Sequence, residues 1–219
     1  MALNAVSDLT LRSNALKRGV RLEYFTVAWM AAEAVLAIGA GIVARSVLLT
    51  AFGADSLIEL LSGVTLLWRL RTEAGGGDER RVDIIERRAT WVSAVLLILL
   101  SAYVVLTSAS GLLARVEPER SWLGLAVAAV ALVVMPWLAY RKGIVNRILN
   151  SSALRADIAE TASCAYLAGV TLLGVSISAV TGWWWVEYIA AILLLRWLIP
   201  EAREALEAAR EGKSAHEHE

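Results

Sequence analysis

One cysteine, Cys164, rules out a disulfide within the chain. Histidine is confined to His216 and His218 at the extreme C-terminal end, so the body of the chain has no imidazole for a nucleophile–base pair, and an enzyme is not expected. Basic and acidic residues balance at 21 each, a formal net charge of +0, so no basic footprint for nucleic acid exists. The N-terminal region carries Arg12, Lys17, Arg18 and Arg21 and lacks the short apolar core and small-residue cleavage site of a signal peptide. The first apolar run is therefore expected to stay in the mature chain. Charge is sparse at 19%, against about a quarter in soluble domains, while 58% of residues are hydrophobic and mean hydropathy is +0.61.

The charges are also segregated. Lys and Arg cluster between apolar stretches of about 18–25 residues, the length that crosses a ~30 Å hydrocarbon layer. The pattern predicts an all-α membrane protein with six transmembrane helices, at 23–44, 47–70, 84–114, 121–140, 153–180 and 183–200. Arg69, Arg71, Arg80, Arg81, Arg87 and Arg88 surround the second connection. Arg141, Lys142, Arg147 and Arg155 surround the fourth, and Arg196, Arg203, Arg210 and Lys213 cluster around and beyond the end of the last span. The other connections offer only Arg45, Arg115 and Arg120. The positive-inside rule then places both termini in the cytoplasm. Trp68, Trp91, Trp137 and Trp197 would mark the inner membrane surface, and Trp122 with Trp183, Trp184 and Trp185 the outer one.

The expected organisation is a cytoplasmic segment at 1–22, a six-helix domain at 23–200 and a short surface helix with a polar tail at 201–219. In that tail Glu201, Arg203, Glu204, Glu207, Arg210 and Glu211 have the spacing of solvated ion pairs. Gly75, Gly76 and Gly77 suggest a flexible loop rather than a phosphate cradle, since no strand precedes them and no Gly-Lys-Ser/Thr follows. His216 and His218 belong to a tail expected to be disordered.

Against this apolar background two pairs stand out. Asp55 and Glu59 lie four residues apart in the second span, and Glu160 and Cys164 four apart in the fifth. That spacing puts each pair on one helix face. Apart from Arg69 and Arg155 at the span ends, no Lys or Arg lies in either run to neutralise them, and an ionised group at such depth costs about 2.5–3.5 kcal/mol on the mildest scale. Asp55, Glu59, Ser62 and Gly63 form one stripe, opposite Leu57, Leu60, Leu61 and Val64; Asp157, Glu160, Thr161 and Cys164 form another. Three carboxylates and a thiolate meeting near mid-depth suit a divalent transition metal in tetrahedral coordination. The alternative is that the acids stay protonated and hydrogen-bond between helices. Asp157 and Glu33 are candidates for supporting the ligands or lining the access path. Glu187 is expected at the water interface.

The chain resembles the cation diffusion facilitator family, metal-efflux transporters with six transmembrane helices. The run Ser46-Val47-Leu48-Leu49-Thr50-Ala51-Phe52-Gly53-Ala54 leads into Asp55-Ser56-Leu57-Ile58-Glu59, where the family has a paired His/Asp-x-x-x-Asp. Ala153-Leu154-Arg155-Ala156-Asp157 matches the opening of the family's fifth helix and runs without a gap through Glu160 to Cys164, where the second pair stands. Trp185-Val186-Glu187-Tyr188 replaces the Trp-x-Asp-Pro that often opens the sixth. The likeness covers about residues 20–210. It implies that Asp55, Glu59, Glu160 and Cys164 bind the transported metal. It also implies proton-coupled efflux by alternating access, a homodimer, and no prosthetic group. The departures are the absence of His from both pairs, Glu at 59 and 160, Cys at 164, Phe52 where many members have a further Asp, and no cytoplasmic metal-sensing domain. Zn²⁺, Cd²⁺, Co²⁺, Fe²⁺ and Mn²⁺ all fit such donors, with sulfur favouring the softer ions.

The leading expectation is a divalent-metal transporter of a bacterial-type inner membrane, with metal ion, protons and the lipid bilayer as partners. Two alternatives stand beside it: a non-transporting membrane protein that keeps the fold for interaction or regulation, and a proton-coupled carrier of a small organic cation.

Overall fold

A computed structural model describes residues 2–75 and 79–211. These form six helices: α1 (Ala2–Ala44), α2 (Val47–Gly75), α3 (Glu79–Ala114), α4 (Trp122–Leu149), α5 (Ser152–Thr181) and α6 (Trp185–Glu211). No strand occurs among the described residues. The glycine loop at Gly76 and Gly77 lies outside them, as do His216 and His218.

Five helices carry segments long and apolar enough to cross a membrane: Leu11–Ala44, Val47–Thr72, Arg87–Ala114, Trp122–Leu149 and Ala153–Thr181. The chain is thus an integral membrane protein. α6 does not reach that threshold, because polar residues from Glu187 to Glu211 dilute its apolar stretch. Two further boundaries differ from the expected ones. α1 begins well before residue 23, so the N-terminal segment is a continuous extension of the first span. α6 continues through Pro200, so the expected surface helix is its second half. Ala202, Ala205, Ala208 and Ala209 are buried along that half, which therefore packs against protein instead of floating free.

The connections are short and capped. Ser121 opens α4 by accepting a hydrogen bond from the Gly124 amide, and Ser151 opens α5 by accepting one from Leu154. Asn150 closes α4 and Gly182 closes α5 in the left-handed conformation, with φ of 49° and 72°. At that same α5–α6 end, Ser46 donates to the Glu187 carboxylate, and the Tyr188 hydroxyl donates to the Val116 carbonyl at 2.8 Å. Glu187 is buried there, not at the water interface, because the α1–α2 turn folds over it.

The helices form a ring in the order α1, α2, α3, α6, α5, α4, with α4 returning to α1. α2 also reaches across to α5 and α6, which makes it the central element. α1 and α2 cross at very short range through glycine. A Cβ at Gly53 would lie 2.7 Å from the Ile38 backbone nitrogen, and one at Gly41 would lie 2.6 Å from the Thr50 nitrogen. In a bilayer such close approach supplies the packing that lipid cannot drive hydrophobically. Gly53→Ala should accordingly destabilise the bundle by about 1–3 kcal/mol, the usual cost of overpacking, seen as a lower melting temperature in detergent. An unchanged melting temperature would mean that the crossing is looser than the backbone distances imply.

Candidate functional site

α2 places Asp55, Ser56 and Glu59 in the interior and turns Leu57 and Val64 outward, as the stripe predicts. Asp55 and Glu59 retain only 2% and 5% of their exposure. Both line an open cavity of about 1330 Å³ between α2, α3, α5 and α6. Glu160 of α5 lines the same cavity and is tied to α2, since Ser62 donates to its Oε1 at 3.2 Å. Thr90 of α3 and Glu201 and Glu204 of α6 complete the polar wall toward the end that carries the α2–α3 and α4–α5 connections.

Neither carboxylate oxygen of Asp55 has a hydrogen-bond partner, and Glu59 has only the Cys164 thiol within reach. Buried polar atoms are nearly always satisfied, so this orphaned set is conspicuous. Phe52, one turn before Asp55, is wholly buried in the apolar core and adds no polar group.

The α5 stripe does not act as one surface. Its residues meet different neighbours because Glu160 is rotated by about 60° from Asp157, while Cys164, nearly in line with Asp157, lies about 10 Å further along the helix. Glu160 faces the cavity. Cys164 is fully buried between α1 and α2, donating to Glu33 Oε1 at 3.5 Å and lying within hydrogen-bond reach of Glu59. Glu33 also accepts from Ser56 at 2.7 Å and, on its other oxygen, from Trp29 Nε1 at 2.5 Å. Glu33, Ser56 and Cys164 thus join α1, α2 and α5 behind the cavity wall. Among the described residues no three His, Cys, Asp or Glu side chains converge tightly enough to enclose a metal ion.

Asp157 turns to α4. Lys142 Nζ donates to Asp157 Oδ2 at 2.6 Å, approaches Thr161 Oγ1 at 3.4 Å, and pairs with Glu23 Oε2 of α1 at 3.0 Å. Lys142 is 1% exposed, so it is an interior charge and not one of the membrane-surface cations with which it groups in the sequence. Sequence patterns missed this triad because its three members come from three helices. Glu23 and Lys142 each sit close to an expected span boundary, where a charge needs no special explanation. Glu201 was hidden differently, among the evenly spaced charges of a helix expected to be solvated.

Long apolar helices thus frame a cavity in which Asp55, Glu59, Glu160 and the α6 acids outnumber the two cations that also line it, Arg155 and Arg196. The family model of the cation efflux transmembrane domain matches residues 25–209, and the chain belongs to that family. Its members are transporters of metal cations and not enzymes. The resemblance carried by the α2 and α5 motifs is therefore upheld at the family level. No curated protein matches the chain.

Proposed function

We propose that the protein exports a divalent metal cation across a bacterial-type inner membrane in exchange for protons, with Asp55, Glu59, Glu160 and Cys164 as the binding groups. The buried carboxylates of Asp55 and Glu59 at the cavity wall are the observation that carries this reading. Acids kept only for helix association would be expected to hydrogen-bond one another or a neighbour; Asp55 does neither, and Glu59 meets only the Cys164 thiol, itself one of the proposed ligands. With the orientation expected from the positive-inside pattern, the cavity opens on the cytoplasmic side, where metal to be exported would load. α6 then acts as a sixth membrane helix that brings the C-terminus to the same side as the N-terminus.

Loading requires the carboxyls and the thiol to give up protons, so metal binding drives proton release, and protonation from the other side drives metal release. The open arrangement of the ligands belongs to a cytoplasm-facing state. In the alternate state Cys164 swings from Glu33 toward the metal, while Asp157 with Lys142 and Glu23 holds α5 against α4 and α1. A homodimer is the expected assembly. Flux of Zn²⁺ or Cd²⁺ into proteoliposomes, followed with an encapsulated dye, tests the reading. Wild type should accumulate metal along an imposed pH gradient, and the Asp55→Ala/Glu160→Ala double variant should not. Equal flux in both would eliminate the site.

The lack of three converging ligands among the described residues also favours a second reading, a non-transporting protein that keeps the fold for interaction or regulation. Titration calorimetry separates the two: the transporter reading expects saturable heat with Zn²⁺ or Cd²⁺, and flat traces with both would support the second.

A further inference from the structure

The apolar stretch of α6 ends at Pro200, and the next residue is Glu201. Pro200 has no backbone N–H to return to the preceding turn, which frees the helix locally at this point. Trp197, four residues earlier, hydrogen-bonds the Glu201 carboxylate. The same four-residue arrangement lets Trp29 hold Glu33 on α1. One Glu201 oxygen, Oε2, is buried without any hydrogen-bond partner. Glu201 lines the same cavity as Asp55, Glu59 and Glu160, and it lies within electrostatic reach of all three.

We propose that Glu201 is a further metal-binding residue of this cavity, so that the divalent-cation site draws carboxylates from three helices, α2, α5 and α6. The inference rests on the cation-binding reading above but adds a helix and a residue to it. Its physical basis is the accumulation of like charge. Carboxylates repel one another around this cavity, and although Arg155 and Arg196 also line it, Asp55 is more than nine-tenths buried with neither oxygen partnered, a group that a shared cation would satisfy. Glu201 stands nearer the end of the bundle than Asp55, so it meets an arriving ion first and hands it inward. Trp197 fixes one oxygen and leaves the other for the metal. Glu204, one turn further on and exposed, is too solvated to hold an ion in the same way.

The test uses the full chain in detergent, with Zn²⁺ and Cd²⁺ binding measured by equilibrium dialysis and melting temperature measured with and without metal. Glu201→Gln keeps the shape and the Trp197 contact but removes the charge. It should weaken binding by about 10–100-fold, the range for groups close to a metal, and shrink the metal-induced rise in melting temperature, with metal-free melting no lower than that of wild type. Glu204→Gln should change affinity less than about 3-fold, well below that range. Glu201→Asp, which keeps the charge, should recover part of the loss. If Glu201→Gln binds like wild type while Asp55→Asn does not, the proposal is overturned and the cation-binding reading stands. If Glu201→Gln lowers metal-free melting and leaves the metal-induced rise intact, Glu201 is a packing residue and the proposal is overturned. If wild type binds neither ion, both fall together.

Discussion

Lys142→Met should destabilise the folded bundle by about 3–5 kcal/mol, the cost of breaking a buried ion pair from one side. The substitution keeps most of the length of the side chain and removes its charge, leaving the Asp157 and Glu23 carboxylates without the cation they now meet at 2.6 and 3.0 Å. No water can take over, because Lys142 is 1% exposed and both acids are buried. For a chain of this length each kcal/mol moves the melting temperature by roughly 2–4 °C, so a fall of about 6–20 °C is expected in a single detergent. The effect is specific to the unbalanced state. Replacing all three members with apolar groups of similar volume (Glu23→Leu, Lys142→Met and Asp157→Leu together) should return most of the stability, since a removed triad leaves no orphaned charge. A single variant that melts with wild type would show that the pairing contributes nothing, and the triad would then lose its role in holding α5 to α4 and α1.

The second large effect falls on binding. Asp55→Asn with Glu160→Gln should lower Zn²⁺ or Cd²⁺ affinity by at least about 100-fold, because removing direct ligands should cost more than the 10–100-fold lost with their supporting groups. Both substitutions are nearly isosteric. The amide oxygen introduced by Glu160→Gln can still accept from Ser62, which keeps the α2–α5 contact now spanning 3.2 Å. The amide introduced by Asp55→Asn brings two donors to a cavity wall that already has unsatisfied acceptors in Glu59, so folding is not expected to suffer. In weak buffer, proton release on metal addition should fall in parallel with affinity, since fewer carboxyls have protons to give up. Undiminished affinity in the double variant would place the metal elsewhere, or nowhere.

Much of this was legible in the order of residues. The α2 stripe followed from spacing alone: Asp55 and Glu59 face inward and Leu57 and Val64 face outward because residues four apart share a face and residues two apart do not. The α5 stripe was legible as a polar face but not as a site. Asp157, Glu160 and Cys164 are close on the helix surface, yet they meet α4, the cavity and α1 respectively. Asp157 and Cys164 share a face but are separated by about 10 Å along the axis, enough to meet different helices, and Glu160 is turned from both. α6 illustrates a different gap. Its charge spacing fits a solvated helix, and that same spacing leaves alanines at 202, 205 and 209 on the opposite side, which the ring buries.

By itself, the sequence determined the helical class, the apolar lengths, the family and the two buried polar pairs, since each depends on composition or on residues within one or two turns of each other. The tertiary structure alone decided that Lys142 is an interior cation, that Cys164 stands behind the cavity wall beside Glu33, and that Glu201 joins the acids of α2 and α5. Those three facts depend on which helix faces which, and that is settled by close crossings such as Gly53 on Ile38, where side-chain volume and not spacing along the chain sets the partner.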